Sequence, residues 1–300
     1  MLGLAFLLTG AVGADSWAPK GGAQQVPIWP AHSPILAGGI RRLDDRKPGQ
    51  ATTNVSNPTY TVYYPKANSS GTCILVFPGG GHLVLAMGLE GTEIADWLTK
   101  SGITCVLVKY RVPYSGCYYD DKLGKHVTPK VPMALQDAQR TISIIRANAQ
   151  KYHVDPNKIG VMGFSAGGNV AVLSSTNSQK RSYPVQDEID QVSCRPDFAI
   201  PAYPGHLTMR HKNVDSRALN TDVVISKNIP PTLLIHAKDD PVDPVHYSEV
   251  YARALKKAGL NVTLKLYADG GHAFGVRKQG KDTDRWTADV LVWLKQIKML

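Results

Sequence analysis

The sequence predicts an α/β protein, a mostly parallel central sheet with helices on both faces. Three observations lead there. From residue 57 onward, short apolar runs alternate with stretches of helical periodicity. Residues 73–77 are apolar at every position and 103–108 nearly so, as in strands buried on both faces. Finally, Gly163-Phe164-Ser165-Ala166-Gly167-Gly168 stands between one such run and a helical stretch.

Taken in order, residues 1–14 read as a signal peptide. They are apolar up to Gly13, too short to cross a bilayer, with small residues Val12-Gly13-Ala14 at the expected cleavage position. Residues 15–56 are rich in Gly, Pro, Ala and polar residues and read as an irregular N-terminal arm, leaving 57–300 as the main α/β domain. Strands are expected at 61–64, an outer one by its alternation, and at 73–77, 103–108, 158–164, 198–203, 232–235 and 262–267. Helices are expected at 88–100, with Ile94, Trp97 and Leu98 on one face, and at 132–152, where apolar residues recur at three and four. Further helices are expected from 167, at 247–258 and at 284–298. Segments 113–129 and 204–228 break the alternation and read as long loops over the functional edge.

Composition narrows the function classes. Hydrophobic residues are 43% and charged residues 19% of the 300, which fits a globular chain and not a disordered one. The net charge of +10 comes from scattered Lys and Arg. The densest clusters, Arg41-Arg42 with Arg46-Lys47 and Lys256-Lys257, form no basic run, so no nucleic-acid partner is expected. No later segment approaches a membrane span, so no membrane partner is expected either. The four Cys include no Cys-x-x-Cys pair, against a zinc ribbon or thioredoxin motif. Cys73 and Cys105 fall inside strands, as small core residues; Cys117 and Cys194 fall in loops, where export would let them pair.

The chemistry centres on Ser165. In Gly-x-Ser-x-Gly, a strained strand-to-helix turn lifts the hydroxyl above the sheet, and small flanking residues let strand and helix approach. The helix behind it aims free N–H groups and a positive dipole end at the site. A serine needs a base. Of the nine His, His272 lies between glycines in Gly270-Gly271-His272-Ala273-Phe274-Gly275, beyond a late strand. The acid lies among Asp239, Asp240 and Asp243. Asp240, four residues past His236 and ahead of Pro241, is the first choice and Asp239 the alternative, while Asp243 is placed to cap the next helix. After the strand at 73–77, Pro78-Gly79-Gly80-Gly81-His82 reads as an oxyanion loop, with the amides of Gly80, Gly81 and Ala166 as donors. His82 at the mouth, and Tyr118 and Tyr119 in the loop 114–119, are candidate substrate contacts; tyrosine faces pack on the C–H groups of sugar rings.

These segments resemble the α/β-hydrolase superfamily, in its esterase branch with a Gly-Gly-Gly oxyanion loop. Gly80, Gly81 and residues 163–168 are similar to hormone-sensitive-lipase-like esterases, which usually carry His where this chain has Pro78. The chain is more similar to bacterial acetyl xylan esterases and feruloyl-esterase-like proteins. That likeness runs from Val26-Pro27-Ile28-Trp29-Pro30 through Lys109-Tyr110-Arg111-Val112-Pro113, Arg195-Pro196-Asp197-Phe198 and residues 236–242 to Gly275. The resemblance implies the α/β-hydrolase fold and a serine esterase, which the expected signal peptide would make secreted or periplasmic. It implies a triad of Ser165, Asp240 and His272, no metal or organic cofactor, and acetylated xylan or xylo-oligosaccharides as substrate. It also implies a structural role for Arg111, tying a loop to the sheet edge. Small-ester carboxylesterase and feruloyl esterase are the alternatives within it. Peptidases with this residue order carry a large propeller, not expected in 300 residues; formamidases share the fold; binding modules on it usually lack the Ser or His. Small residues around Ser165 point to short acyl groups.

Overall fold

The computed structural model describes residues 17–36, 45–47, 51–53, 55–112, 119–120, 122–123, 125–126, 133–209 and 216–300. The expected signal peptide, Cys117 and Tyr118 lie outside the described residues, as does the side chain of Tyr119.

The main sheet has eight strands: β1 (Val26–Pro27), β2 (Thr59–Tyr63), β3 (Cys73–Phe77), β4 (Thr104–Lys109), β5 (Ile159–Phe164), β6 (Phe198–Ala202), β7 (Thr232–Ala237) and β8 (Val262–Tyr267). Their order across the sheet is β1-β2-β4-β3-β5-β6-β7-β8. β1 and β2 run antiparallel to their neighbours, and β4 through β8 are parallel. The central strands are apolar throughout because both faces are covered: every residue of β3, β5 and β6 is buried.

Helix α1 (Glu93–Lys100) follows a π-helical turn at Gly88–Thr92. The others are α2 (Met133–Ala147), α3 (Ala166–Thr176), α4 (His246–Lys257) and α5 (Trp286–Gln296). Trp97 of α1 meets Trp286 of α5 edge-on at 4.9 Å across one face of the sheet. On the other face, Leu135 of α2, Leu173 of α3 and Tyr251 of α4 share one apolar cluster. α3 is buried on all sides, which accounts for its small residues and weak amphipathicity.

The N-terminal arm departs from the irregular segment expected. Residues 26–27 join the sheet edge, and Trp29 is buried. Its indole Nε1 donates to Asp137 Oδ1 at 2.6 Å, and its ring lies against the guanidinium groups of Arg111 and Arg140. Arg111 is buried too. It pairs with Asp137 at 2.8 Å, and it donates to Gln136 and to the carbonyl of Ile35. This network ties the arm, the end of β4 and α2 together; Arg111 is structural. Of the long loops, 119–120 and 125–126 pair as a short hairpin, and Thr208 bridges Leu219. Cys194 is a buried free thiol donating to the carbonyl of Ser178.

Candidate active site

Ser165 sits between β5 and α3 at φ 52°, ψ −118°. A non-glycine residue there is strained, by about 1–3 kcal/mol. Three backbone bonds hold it: its N–H donates to Ala202 O, and its carbonyl accepts from Asn169 and Gly205 N–H. Gly163 makes the turn sterically possible, because a Cβ there would stand 2.0 Å from Gly167 O.

The candidate acid and base come from loops beyond β7 and β8, at the carboxyl ends of the parallel strands. His272 Nε2 lies 3.0 Å from Ser165 Oγ, and His272 Nδ1 lies 2.8 Å from Asp240 Oδ2. A carboxylate only accepts, so Nδ1 carries the proton and Nε2 is left to accept from the serine hydroxyl. Asp240 Oδ1 accepts from the N–H groups of Val242 and Asp243, which fixes its rotamer. Asp239 faces elsewhere: its carboxylate accepts from Gly270 and Gly271 N–H in the loop that presents His272.

Sequence reasoning missed a second histidine here. His236, fully buried at the end of β7, lies 2.9 Å from the Asp243 carbonyl and 3.3 Å from Asp240 Oδ2 through Nε2. Both partners accept, so Nε2 is the protonated nitrogen and Nδ1 accepts from Ser248 Oγ at 2.8 Å. His236 therefore clamps the acid loop. Its signal was a polar residue in an apolar strand, four residues before the acid.

Gly80 turns the oxyanion loop at φ 133°, and a Cβ there would stand 2.2 Å from Val84 O. Among the described residues, the N–H groups of Gly80, Gly81 and Ala166 donate to no protein acceptor. The loop is braced from behind by Glu90, a fully buried residue the sequence reading passed over. Glu90 Oε2 accepts from Gly79 N–H at 2.7 Å, and Oε1 from the Tyr203 hydroxyl at 2.9 Å. The π-helical turn aims Glu90 inward, an irregularity often found at functional sites.

A cleft of about 310 Å³ opens over these groups, lined by Gly80, Gly81, Ser165, His272 and also by His206 and Asp243. A larger groove of about 640 Å³, among Tyr64, Lys66, Asp96 and Lys100, holds none of this chemistry. Two expectations change here. His82 is buried at 2% exposure with its ring 5.3 Å from that of His206, and it does not line the cleft. Asp243 does not cap α4: the N-cap is Val245, without a side-chain bond, and Asp243 Oδ2 accepts from Ser165 Oγ at 3.2 Å.

The electrostatics follow from burial and pairing. Burial opposes ionisation of Asp240, but hydrogen bonds from His236 and His272 hold its carboxyl well below the usual range. Burial alone would lower the His272 imidazole; its bond to Asp240 and the negative charges of Asp240, Asp243 and Glu90 raise it instead. Burial pushes the carboxyls of Glu90 and Asp243 upward. Backbone N–H groups of Gly271 and Gly270 lower that of Asp239.

The BD-FAE family model matches residues 62–202. The chain is 30% identical over 245 residues to the acetylxylan esterase of Xylanibacter ruminicola, across 79% of this chain and 48% of that protein. It is 27% identical over 238 residues to endo-1,4-beta-xylanase B of Butyrivibrio fibrisolvens, across 73% of this chain and 35% of that one. It thus spans half or less of these two curated relatives. The acetyl ester-xyloside bifunctional hydrolase from Caldicellulosiruptor lactoaceticus superposes with a TM-score of 0.67 at 27% identity, covering 92% of this chain and 97% of that one. Thermogutta terrifontis esterase 2 shares the fold, with a TM-score of 0.69 at 19% identity over 94% of this chain and 97% of its own. With this strand order, a serine on a strained strand-to-helix turn and these likenesses, the chain has the α/β-hydrolase fold.

Proposed function

We propose that this protein is a serine carboxylesterase that removes acetyl groups from acetylated xylan or xylo-oligosaccharides. The observation that carries the reaction class is the hydrogen-bonded line from Ser165 Oγ through His272 to Asp240, 3.0 and 2.8 Å long, in a cleft that Gly80 and Gly81 also line. His272 Nε2 takes the hydroxyl proton as Oγ attacks the ester carbonyl carbon. The N–H groups of Gly80, Gly81 and Ala166 hold the resulting oxyanion, and Asp240 stabilises the imidazolium. When the tetrahedral intermediate collapses, Nε2–H protonates the departing sugar oxygen and the acetyl group stays on Oγ. Water then attacks the acyl-enzyme carbonyl and gives a proton to His272; as the Oγ–acyl bond breaks, His272 returns that proton to Ser165 Oγ and acetic acid leaves, ionising to acetate. The substrate class rests on the likeness to an acetylxylan esterase and to an acetyl ester-xyloside hydrolase. A cleft of about 310 Å³ suits a small acyl group.

The test is acetate release from acetylated glucuronoxylan compared with triacetin, using wild type and Ser165→Ala. Faster release per ester from the polymer, lost in the variant, supports the reading. Release from triacetin alone supports a small-ester carboxylesterase with the same mechanism.

A further inference from the structure

Asp243 plays no part in the line of proton transfer, yet it touches the nucleophile. Its Oδ2 lies 3.2 Å from Ser165 Oγ and 3.9 Å from His272 Nε2. The side chain is 9% exposed and lines the cleft. Among the described residues its carboxylate accepts a single hydrogen bond, the one from Ser165. The carboxylate's seat is shaped for it: a Cβ on Gly205 would stand 2.8 Å from Oδ2 and 3.0 Å from Oδ1. Asp243 N–H is itself bound to Asp240 Oδ1, so the carboxylate is held at the edge of the triad.

This arrangement poses a conflict. Ser165 has one hydroxyl proton and two acceptors, His272 Nε2 and Asp243 Oδ2, at similar distances. Only donation to His272 primes the serine. A buried carboxylate with one partner is costly, and a donor brought by the substrate relieves both problems at once. The leaving oxygen must lie beside His272 Nε2 to take its proton. On a polyol, a hydroxyl on the adjacent carbon then lies within a hydrogen-bond length of that oxygen, and so within reach of Asp243.

We propose that Asp243 is a leaving-group subsite that accepts a hydrogen bond from a free hydroxyl vicinal to the ester, selecting partly acetylated polyols over simple alkyl acetates. The inference rests on the esterase reading and deepens it. Burial raises the Asp243 carboxyl, and the nearby His206 and His272 offset part of that rise.

The experiment compares three acetates of similar size: 2-hydroxyethyl acetate, propyl acetate, in which a methyl replaces the hydroxyl, and 2-methoxyethyl acetate, in which the hydroxyl is blocked. Wild type is expected to favour the hydroxyl ester in kcat/KM by about 10- to 100-fold, the range of a hydrogen bond to a charged group. Asp243→Ala is expected to bring the ratio to about one, and Asp243→Asn, which keeps an acceptor oxygen and the side-chain shape, to an intermediate value. Equal rates in wild type, or an undiminished ratio in Asp243→Ala, overturn the proposal. The three-ester comparison in wild type decides it even if the alanine variant does not fold. Cleavage of 4-nitrophenyl acetate separates the two failures: if wild type cleaves it without any hydroxyl preference, only the subsite is wrong. If wild type cleaves none of the four esters, the esterase reading falls and the subsite with it.

Discussion

Asp239 and Asp240 are neighbours in sequence and grip two different parts of one loop. Asp240 accepts from the His272 imidazole at 2.8 Å, whereas Asp239 accepts from the Gly271 backbone at 2.8 Å and from Gly270 at 3.2 Å. One carboxylate orients the ring and the other orients the chain that carries it. Their substitutions therefore separate. Asp240→Asn should lower kcat by about 10³–10⁴, because the wrong tautomer is favoured. Asp239→Asn, which keeps one acceptor oxygen, should cost less than about tenfold. Steady-state kinetics on 4-nitrophenyl acetate measure both, and a larger loss for Asp239→Asn would reverse the assignment.

Ser165→Ala and His272→Ala should each lower kcat by roughly 10⁴–10⁶, with the double variant little worse, since the pair works as a unit. Full activity in either single variant would remove that residue from the mechanism.

The pH profile carries its own sign. His272 acts as base only when neutral, so kcat/KM falls as pH drops through its pKa. Because the surrounding carboxylates raise that pKa, the midpoint of the acid limb should lie above the ordinary imidazole value of about 6.5. Asp240→Asn should move it to lower pH, and Asp243→Asn should do so by a smaller amount. A midpoint unmoved by either change would mean that another group controls the limb.

Glu90 is expected to act on catalysis through Gly79, whose N–H it holds. Glu90→Ala frees the Gly79 N–H and lets the oxyanion loop shift; a displacement of about 1 Å is enough to cost roughly 10²-fold in kcat. Glu90→Gln, which keeps an acceptor for Gly79, should retain most activity. Equal losses in both, tracking thermal unfolding, would assign Glu90 to stability alone.

Asp137 tests the arm. It is fully buried and holds Trp29 and Arg111, so Asp137→Ala leaves a buried guanidinium unpaired. Breaking such a pair costs about 3–5 kcal/mol. Chemical denaturation should show a loss of that size, and a change below about 1 kcal/mol would mean the arm is held by packing alone.

The sequence by itself determined what short-range sterics and periodicity govern. The alternation of buried strands with helical stretches set the layered fold. The glycines around Ser165 admitted only a tight strand-to-helix turn, and the positions of Asp240 and His272 after late strands made them the first choices for acid and base. Only the tertiary structure decided which way the remaining side chains face. Asp243 meets Ser165 across 78 residues of chain, Trp29 meets Asp137 across 108, and Glu90 reaches Gly79 by way of a π-helical turn. None of these is set by local pattern. A carboxylate near a helix start satisfies the rules for a cap, and a Trp in a Gly- and Pro-rich arm satisfies those for a loop. Their actual partners follow from how separate elements pack, where burying an unpaired charge or indole N–H costs more than any local preference supplies.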